Sequence, residues 1–217
     1  MTIRLHPEKN GIRAMGVSEC FRKSDTTSIL CGVVIRGDLV VDGCSFNTST
    51  VDGDDATRRI TSLYRNFRRN DVNVIIISGS IISLYNIIDL EKIKDVTNVS
   101  TICIASKNGK NLENILKEKY SNNKTKLDLY KKIGKLHKIK LKNNSELFFR
   151  SAGIERNDVK QILDKFTSAG NVPEPIRLSK LLARSLYFGT KKNIYSDSDP
   201  SDSDPSDSDP SGSNIVI

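Results

Sequence analysis

Three carboxylates fall within four residues in the segment Thr50-Val51-Asp52-Gly53-Asp54-Asp55-Ala56-Thr57, the densest acidic group in the chain. Oxygen ligands of this kind suit a hard divalent cation such as Mg2+. At the start of a helix the same residues would instead accept the free N–H groups of the first turn and complement the positive end of the dipole, each contribution being about 0.3 to 1 kcal/mol. Asp54 and Asp55 are therefore candidate metal ligands or candidate caps, with Asp52 beside them. Glu19 directly follows the first strand signal, a position that reads as a solvated strand end. His6 and His137 are far apart and have no cysteine or carboxylate at ligand spacing, so neither is assigned a role. There is no glycine-rich phosphate loop, nucleophile elbow or HExxH pattern, which leaves nucleotide-cofactor and serine-hydrolase chemistry without support.

A second concentration is basic. Residues 107–142 hold twelve lysines against Glu113, Glu118 and Asp128, with Tyr120 and Tyr130 as the only aromatics and no arginine. Lysine is a point charge that attracts phosphate without the bidentate geometry that reads a base. Lys131, Lys132, Lys135 and Lys138 are accordingly candidate contacts to a nucleic-acid backbone, the alternative being a solvated helical surface.

The elements that must position these groups follow from periodicity. Strand signals lie at 12–17, 28–36 and 39–48, the last two separated by Gly37-Asp38 as a hairpin turn. Asp54 and Asp55 then open a helix whose Ile60, Leu63, Tyr64 and Phe67 recur at i, i+3, i+4 and i+7. Residues 72–77 are almost continuously β-branched, as in a strand buried on both faces. A Gly-Ser break, a helix over 89–96 and a strand over 101–105 follow, an order that implies a parallel crossover. Further helices are expected at 112–119 and 126–132, and a hairpin pairs 139–141 with 147–149 across Asn143-Asn144. Val159, Ile162, Leu163 and Phe166 form another helical stripe. A final helix starts at Pro173-Glu174-Pro175 and runs through Leu178, Leu181, Leu182 and Leu186, with Pro175 in the first turn where its missing N–H costs nothing. The expected fold class is α/β, a ribonuclease H-like mixed sheet of three antiparallel strands and then parallel strands, flanked by helices.

Composition bounds the rest. The chain has 217 residues, of which 37% are hydrophobic, enough for one domain with a sizeable core. From Ser196 onward SDSDP occurs three times in tandem, with six aspartates and no lysine or arginine. The expected organisation is a domain over 1–195 and a disordered acidic tail over 196–217, because the repeat has no apolar side chain to bury. The body without the tail has 34 basic and 20 acidic side chains, a formal charge of +14, against +8 for the whole chain. A body of that sign attracts polyanions. No apolar run reaches the roughly 20 residues of a membrane span. Cys20, Cys31, Cys44 and Cys103 show no CxxC spacing, and three of them sit in apolar strand-like runs, which fits a reducing cytoplasm.

The succession GIRAMGVSECF, VVDGCSFNTSTVDGDDATRRI, IIISGSIISLYNIIDLEKI, FRSAGI and NVPEPIRLSKLLARSL resembles the archaeal domain-of-unknown-function family ninety-nine, a relative of endonuclease V. The likeness covers nearly all of residues 8–190, and VDGDDAT, NIIDLE and PEPIRL are its most specific pieces. It implies a ribonuclease H-like fold whose better-known relatives use magnesium to cut nucleic acid next to deaminated adenine. It further implies a metal held by acidic residues at the end of the first strand, before the first helix and at the end of the central strand. Here the chain departs from the pattern: Ser18 stands for the first aspartate, Ser78 for the last, and Lys180 for a histidine of the final helix. Glu19 is an imperfect substitute for the loss at Ser18, because successive strand residues point to opposite faces. The resulting expectation is a nucleic-acid-binding protein with a degenerate metal site. The alternatives are an active magnesium-dependent endonuclease on RNA or DNA with deaminated bases, using Glu19, the Asp54 region and Lys180, and a non-enzymatic interaction protein.

Overall fold

In the computed structural model the described residues are 9, 11–105, 112–120 and 124–195. The SDSDP segment and Lys107 and Lys110 lie outside them. Seven strands form one sheet in the order β3-β2-β1-β4-β7-β9-β8. The chain opens with β1 (Arg13–Cys20), β2 (Thr27–Arg36) and β3 (Val41–Thr50), an antiparallel meander. Helix α1 (Ala56–Asn66) leads to β4 (Val74–Ser78), which pairs parallel with β1. A short hairpin, β5 (Ile81–Ile82) and β6 (Asn86–Ile87), and helix α2 (Leu90–Thr97) lead to β7 (Ser100–Ala105), parallel to β4. Helices α3 (Leu112–Lys119) and α4 (Lys124–Lys132) precede the hairpin β8 (His137–Lys140) and β9 (Glu146–Ala152), and β9 runs antiparallel to β7. Helices α5 (Arg156–Phe166) and α6 (Glu174–Tyr195) end the described chain. This is the mixed sheet expected from the sequence.

Strand parity sorts the core into two layers. Even-numbered side chains of β1 and β4, such as Ala14, Val74 and Ile76, pack with Val159, Ile162, Leu163 and Phe166 of α5 and Ile176 and Ala183 of α6. Odd-numbered ones, Met15, Val17, Ile75 and Ile77, pack under Ile60 and Leu63 of α1 and Leu90 and Ile93 of α2. Each of the larger side chains among these, from valine to phenylalanine, contributes about 1.5 to 3 kcal/mol when removed from water, and the alanines less. A third, smaller cluster joins Ile81 and Ile87 of the β5–β6 hairpin to Leu116 of α3 and Ile133 after α4, with Tyr85, Tyr120 and Tyr130 around it.

Several expectations need correction. The first strand continues to Cys20, so Ser18 and Glu19 lie inside it rather than at its end, held by pairing with Cys31 and Leu30 of β2. The β2–β3 turn is longer than Gly37-Asp38: Arg36 and Val40 close it through a backbone bond of 2.9 Å, and Leu39 takes a left-handed φ of 67°. The β5–β6 hairpin occupies a stretch with no strand expected. Cys44 is exposed on the edge strand β3, whereas Cys31 and Cys103 are buried and all four thiols are free.

Candidate functional site

At the carboxyl end of β1, adjacent residues part to opposite faces. Ser18 turns to the α6 side, where its Oγ donates to the carbonyl oxygen of Ile176 at 3.2 Å. Two residues earlier, Gly16 lies so close beneath α6 that an added Cβ would stand 2.1 Å from the carbonyl carbon of Pro175. Glu19 turns the other way and accepts from the Ser83 backbone N–H at 2.7 and 2.8 Å and from the Ser83 hydroxyl at 2.8 Å. Burial raises the Glu19 pKa above the ordinary value while the Ser83 bonds pull it back. The side chain thus holds the β5–β6 turn, whose Ser83 and Leu84 have φ of 46° and 78°. It is not a solvated strand end.

Asp55 is the residue before α1, yet its carboxylate caps no helical N–H. It reaches back to β3 and across to β6, accepting from Ser49 Oγ at 2.9 Å, Thr50 N at 3.1 Å, Asn86 Nδ2 at 2.8 Å and Arg59 Nε at 2.9 Å. Asn86 supplies the cap in its place, its Oδ1 accepting from Ala56 N at 2.9 Å. Burial alone would raise the Asp55 pKa, but Arg59, Asn86, Thr50 and Ser49 hold it well below the usual carboxylate range. The capping role expected of Asp55 therefore passes to Asn86, a buried amide that satisfies both its donor and its acceptor at this junction.

Asp52 and Asp54 face α3 and α4. Asp52 has φ of 58°, and its N–H donates to Ser83 O at 2.7 Å, which ties this loop to the turn held by Glu19. Its carboxylate takes Lys119 Nζ at 2.8 Å and the Tyr120 hydroxyl, and lies 3.5 Å from Lys126 Nζ. Asp54, with 69% of its side chain exposed, lies 3.3 Å from the same ammonium. Burial and the Asp52 carboxylate together push the Tyr120 hydroxyl far above its ordinary pKa. Sequence reading missed Ser83, Asn86, Lys119, Tyr120 and Lys126. The available signal was Asn86 within NIIDLE, a polar residue in an apolar run; nothing local marks Lys126.

Ser78 ends β4 beside Ile104, and the register that sets Val17 against Ile77 carries Ser18 alongside it on the same face. Lys180, half-buried on α6, and Arg184 lie near enough to Cys20 to lower its thiol pKa, although burial prevails and leaves it raised. Neither Lys180 nor Arg184 forms an ion pair among the described residues. Lys131, Lys132, Lys135 and Lys138 are exposed along the end of α4 and β8. Lys131 is 3.5 Å from Asp128, and Lys138 is 2.7 Å from Glu146. The structure thus separates the candidates into a Ser18, Ser78 and Lys180 group on the α6 side, a Glu19 to Asp55 network on the α1 side, and a lysine surface beyond both. His137 packs its ring against Phe149 at 5.6 Å.

The family model for endonuclease dU matches residues 10–187. The chain belongs to the endonuclease dU family. Among its relatives is a UPF0215 protein of Thermoplasma volcanium, 32% identical over 188 residues that cover 85% of this chain and 94% of that one. A protein of unknown function from Archaeoglobus fulgidus superposes with a TM-score of 0.70 at 21% identity, over 81% of this chain and 98% of its own. Ciona intestinalis endonuclease V, solved with a 24mer DNA containing an inosine followed by a ribo-adenosine, gives 0.55 at 14% identity, over 82% and 87%. These likenesses establish the ribonuclease H-like fold for this member of the endonuclease dU family and bear out the resemblance read from its motifs.

The magnesium site implied by that resemblance does not fit the residues present. Ser18 and Ser78 are neutral, and the buried Ser18 hydroxyl is committed to a carbonyl oxygen that would repel a carboxylate. Glu19 is on the opposite face, Asp55 is saturated by its own donors, and Asp52 and Asp54 are neutralised by lysines. Among the described residues of this endonuclease dU family member no three His, Cys, Asp or Glu side chains gather to hold a metal ion.

Proposed function

We propose that this protein binds RNA or DNA through its basic surface and holds it without metal-dependent cutting at the positions its relatives use. The observation that carries this reading is the closure of Ser18 onto Ile176, with Lys180 and Arg184 near Cys20 on the same strand end as cations that form no ion pair among the described residues. A site built this way attracts the phosphate backbone by charge. The exposed Lys131, Lys132, Lys135 and Lys138 extend the same attraction, and a DNA-bound endonuclease V of the same fold supports a nucleic-acid partner. A cytoplasmic setting is supported by four free cysteines, and no helix among the described residues is long and apolar enough to cross a membrane.

The test is a binding titration on single- and double-stranded oligonucleotides at several salt concentrations. Affinity should fall steeply with salt, because neutralised phosphates release counterions. The triple variant Lys131→Glu, Lys132→Glu, Lys135→Glu should bind at least about tenfold more weakly at low salt. Salt-insensitive binding, or an unchanged triple variant, would remove the lysine surface from the proposal.

A second reading is favoured by the family's description as endonuclease dU: cleavage of nucleic acid at a deaminated base. It requires Glu19, Asp52 or Asp54 to leave their present partners for a metal. Substrates containing deoxyuridine or inosine, incubated with Mg2+ or Mn2+, distinguish it from binding alone.

A further inference from the structure

An exposed aromatic ring and four unpaired cations meet on the outer side of α6. The turn that follows β1 lies against this helix: the Tyr187 hydroxyl donates to Asp25 Oδ2 at 2.6 Å, and the Arg22 guanidinium stands over the Phe188 ring, 5.9 Å from its centroid. Lys180, Arg184 and Phe188 follow one another at i, i+4 and i+8, so they form one ridge with a step of about 6 Å along the axis. Ile176 and Ala183 of the same helix point the other way, into the core.

Phe188 serves no packing need of that core. It is 43% exposed, whereas Tyr187 beside it is 4% exposed, and the two rings meet edge to face with centroids 5.2 Å apart. Among the described side chains the other exposed aromatic is Phe46 on β3, and no cation stands over its ring.

Charge sets the chemistry of the partner. Among the described residues Arg22, Lys23, Lys180 and Arg184 form no ion pair. Asp25 is the only carboxylate of residues 21–26, and it accepts from the Tyr187 hydroxyl and from the Arg22 backbone N–H at 2.6 Å. Cations around an open aromatic ring suit a polyanion that carries flat rings of its own: phosphates meet the ammonium and guanidinium groups while a base stacks on the ring. In a duplex the faces of each base are covered by its neighbours, so the arrangement favours a strand whose bases are unstacked. An acidic peptide would use the cations and leave the ring without a partner.

We infer that the α6 ridge and the turn after β1 bind single-stranded nucleic acid, with Phe188 as the platform for one base and Arg22, Lys180 and Arg184 on the flanking phosphates. This role rests on the nucleic-acid binding proposed above and narrows it to a strand form and to a residue that contacts a base.

The experiment measures binding of the full-length protein to three labelled probes by fluorescence anisotropy: oligothymidylate, an abasic strand with the same number of phosphates, and a duplex of the same length. The wild type should bind oligothymidylate more tightly than the abasic strand. Phe188→Ala should bind oligothymidylate at least about fivefold more weakly and leave the abasic strand and the duplex unchanged, since stacking of one base is what is lost. Phe188→Trp should keep the preference. Arg184→Gln should weaken both single strands and lower the slope of log affinity against log salt by about 0.7. If Phe188→Ala does not fold, Phe188→Leu gives the same reading, because it keeps an apolar contact with Tyr187 and lacks the aromatic face. A Phe188→Ala protein that binds oligothymidylate as the wild type does, or that loses affinity for all three probes alike, overturns the stacking role and leaves nucleic-acid binding standing. So does a wild type that binds oligothymidylate and the abasic strand equally. Failure of the wild type to bind any probe overturns both.

Discussion

The hydroxyl of Ser18 and the carbonyl oxygen of Ile176 are 3.2 Å apart, and this contact locks the last helix onto the first strand. A carboxylate at residue 18 would face that carbonyl from a site that is 4% exposed. Ser18→Asp should therefore destabilise the protein by about 2–3 kcal/mol, as for a buried group without a donor, and Ser18→Ala by about 1 kcal/mol. Urea unfolding measures both. An undiminished Ser18→Asp variant that gains Mg2+ affinity would mean that the strand end opens readily into a metal site.

Asp55 should impose an acid-sensitive contribution to stability. Its pKa is depressed in the folded state, so the contribution is full above the unfolded carboxylate value near 3.9 and is lost as pH falls through the folded value. At pH 7 Asp55→Asn should cost about 2 kcal/mol, since charge-assisted bonds from Arg59, Thr50 and Asn86 are weakened. The gap between variant and wild type should narrow as the pH is lowered below about 4. Denaturant melts of both proteins at a series of pH values check the sign. A constant gap down to the acid limit would contradict it.

Gly16 is required by contact rather than by backbone torsion. Because a Cβ there would meet the Pro175 backbone at 2.1 and 2.2 Å, Gly16→Ala must push α6 off β1. A loss of about 3 kcal/mol or more is expected, at the upper end of overpacking costs, with the Ser18 to Ile176 bond broken as well. Chemical denaturation reads the loss, and a neutral Gly16→Ala would show that α6 is free to shift.

Thiol chemistry should follow exposure. Cys44 is exposed, Cys20 is partly covered, and burial pushes Cys31 and Cys103 up to about 12. In the native protein a thiol reagent at pH 8 should label Cys44 first and Cys20 more slowly, sparing the other two until unfolding. Mass spectrometry of timed samples gives the order. Early labelling of Cys103 would be inconsistent with its place between β4 and β9.

The periodic elements were legible in the sequence because their pattern is local. The run Val74 to Ile77 is apolar at every position and proved to be a central strand, and Ile60, Leu63 and Tyr64 proved to be one face of α1, with Phe67 packed on the same core from the C-cap position. Parity at the end of β1 was legible too, since Ser18 and Glu19 separate to opposite faces as alternation requires. The β5–β6 hairpin was not, because its turn places Ser83 and Leu84 in left-handed conformations that glycine or asparagine would have announced. The acidic loop was read as a cap or a metal site because its partners, Tyr120 directly after α3 and Lys126 on α4, lie 68 and 74 residues from Asp52. Within a lysine-rich stretch one buried lysine carries no local mark. The 52–54 loop and the Tyr120 ring, both distant in sequence, surround its ammonium.

We propose that the residues at the metal positions implied by the family resemblance assemble no metal-dependent cutting site while the basic surface holds nucleic acid. The most direct measurement incubates the full-length protein in excess with end-labelled oligonucleotides containing a single deoxyuridine or inosine, with Mg2+, Mn2+ or EDTA. Bound fraction and product are then read from the same samples. Salt-sensitive binding is expected in all three conditions, with no cleavage above background in any of them. Metal-dependent cleavage next to the deaminated base, abolished by Glu19→Gln or Asp54→Ala, would contradict it.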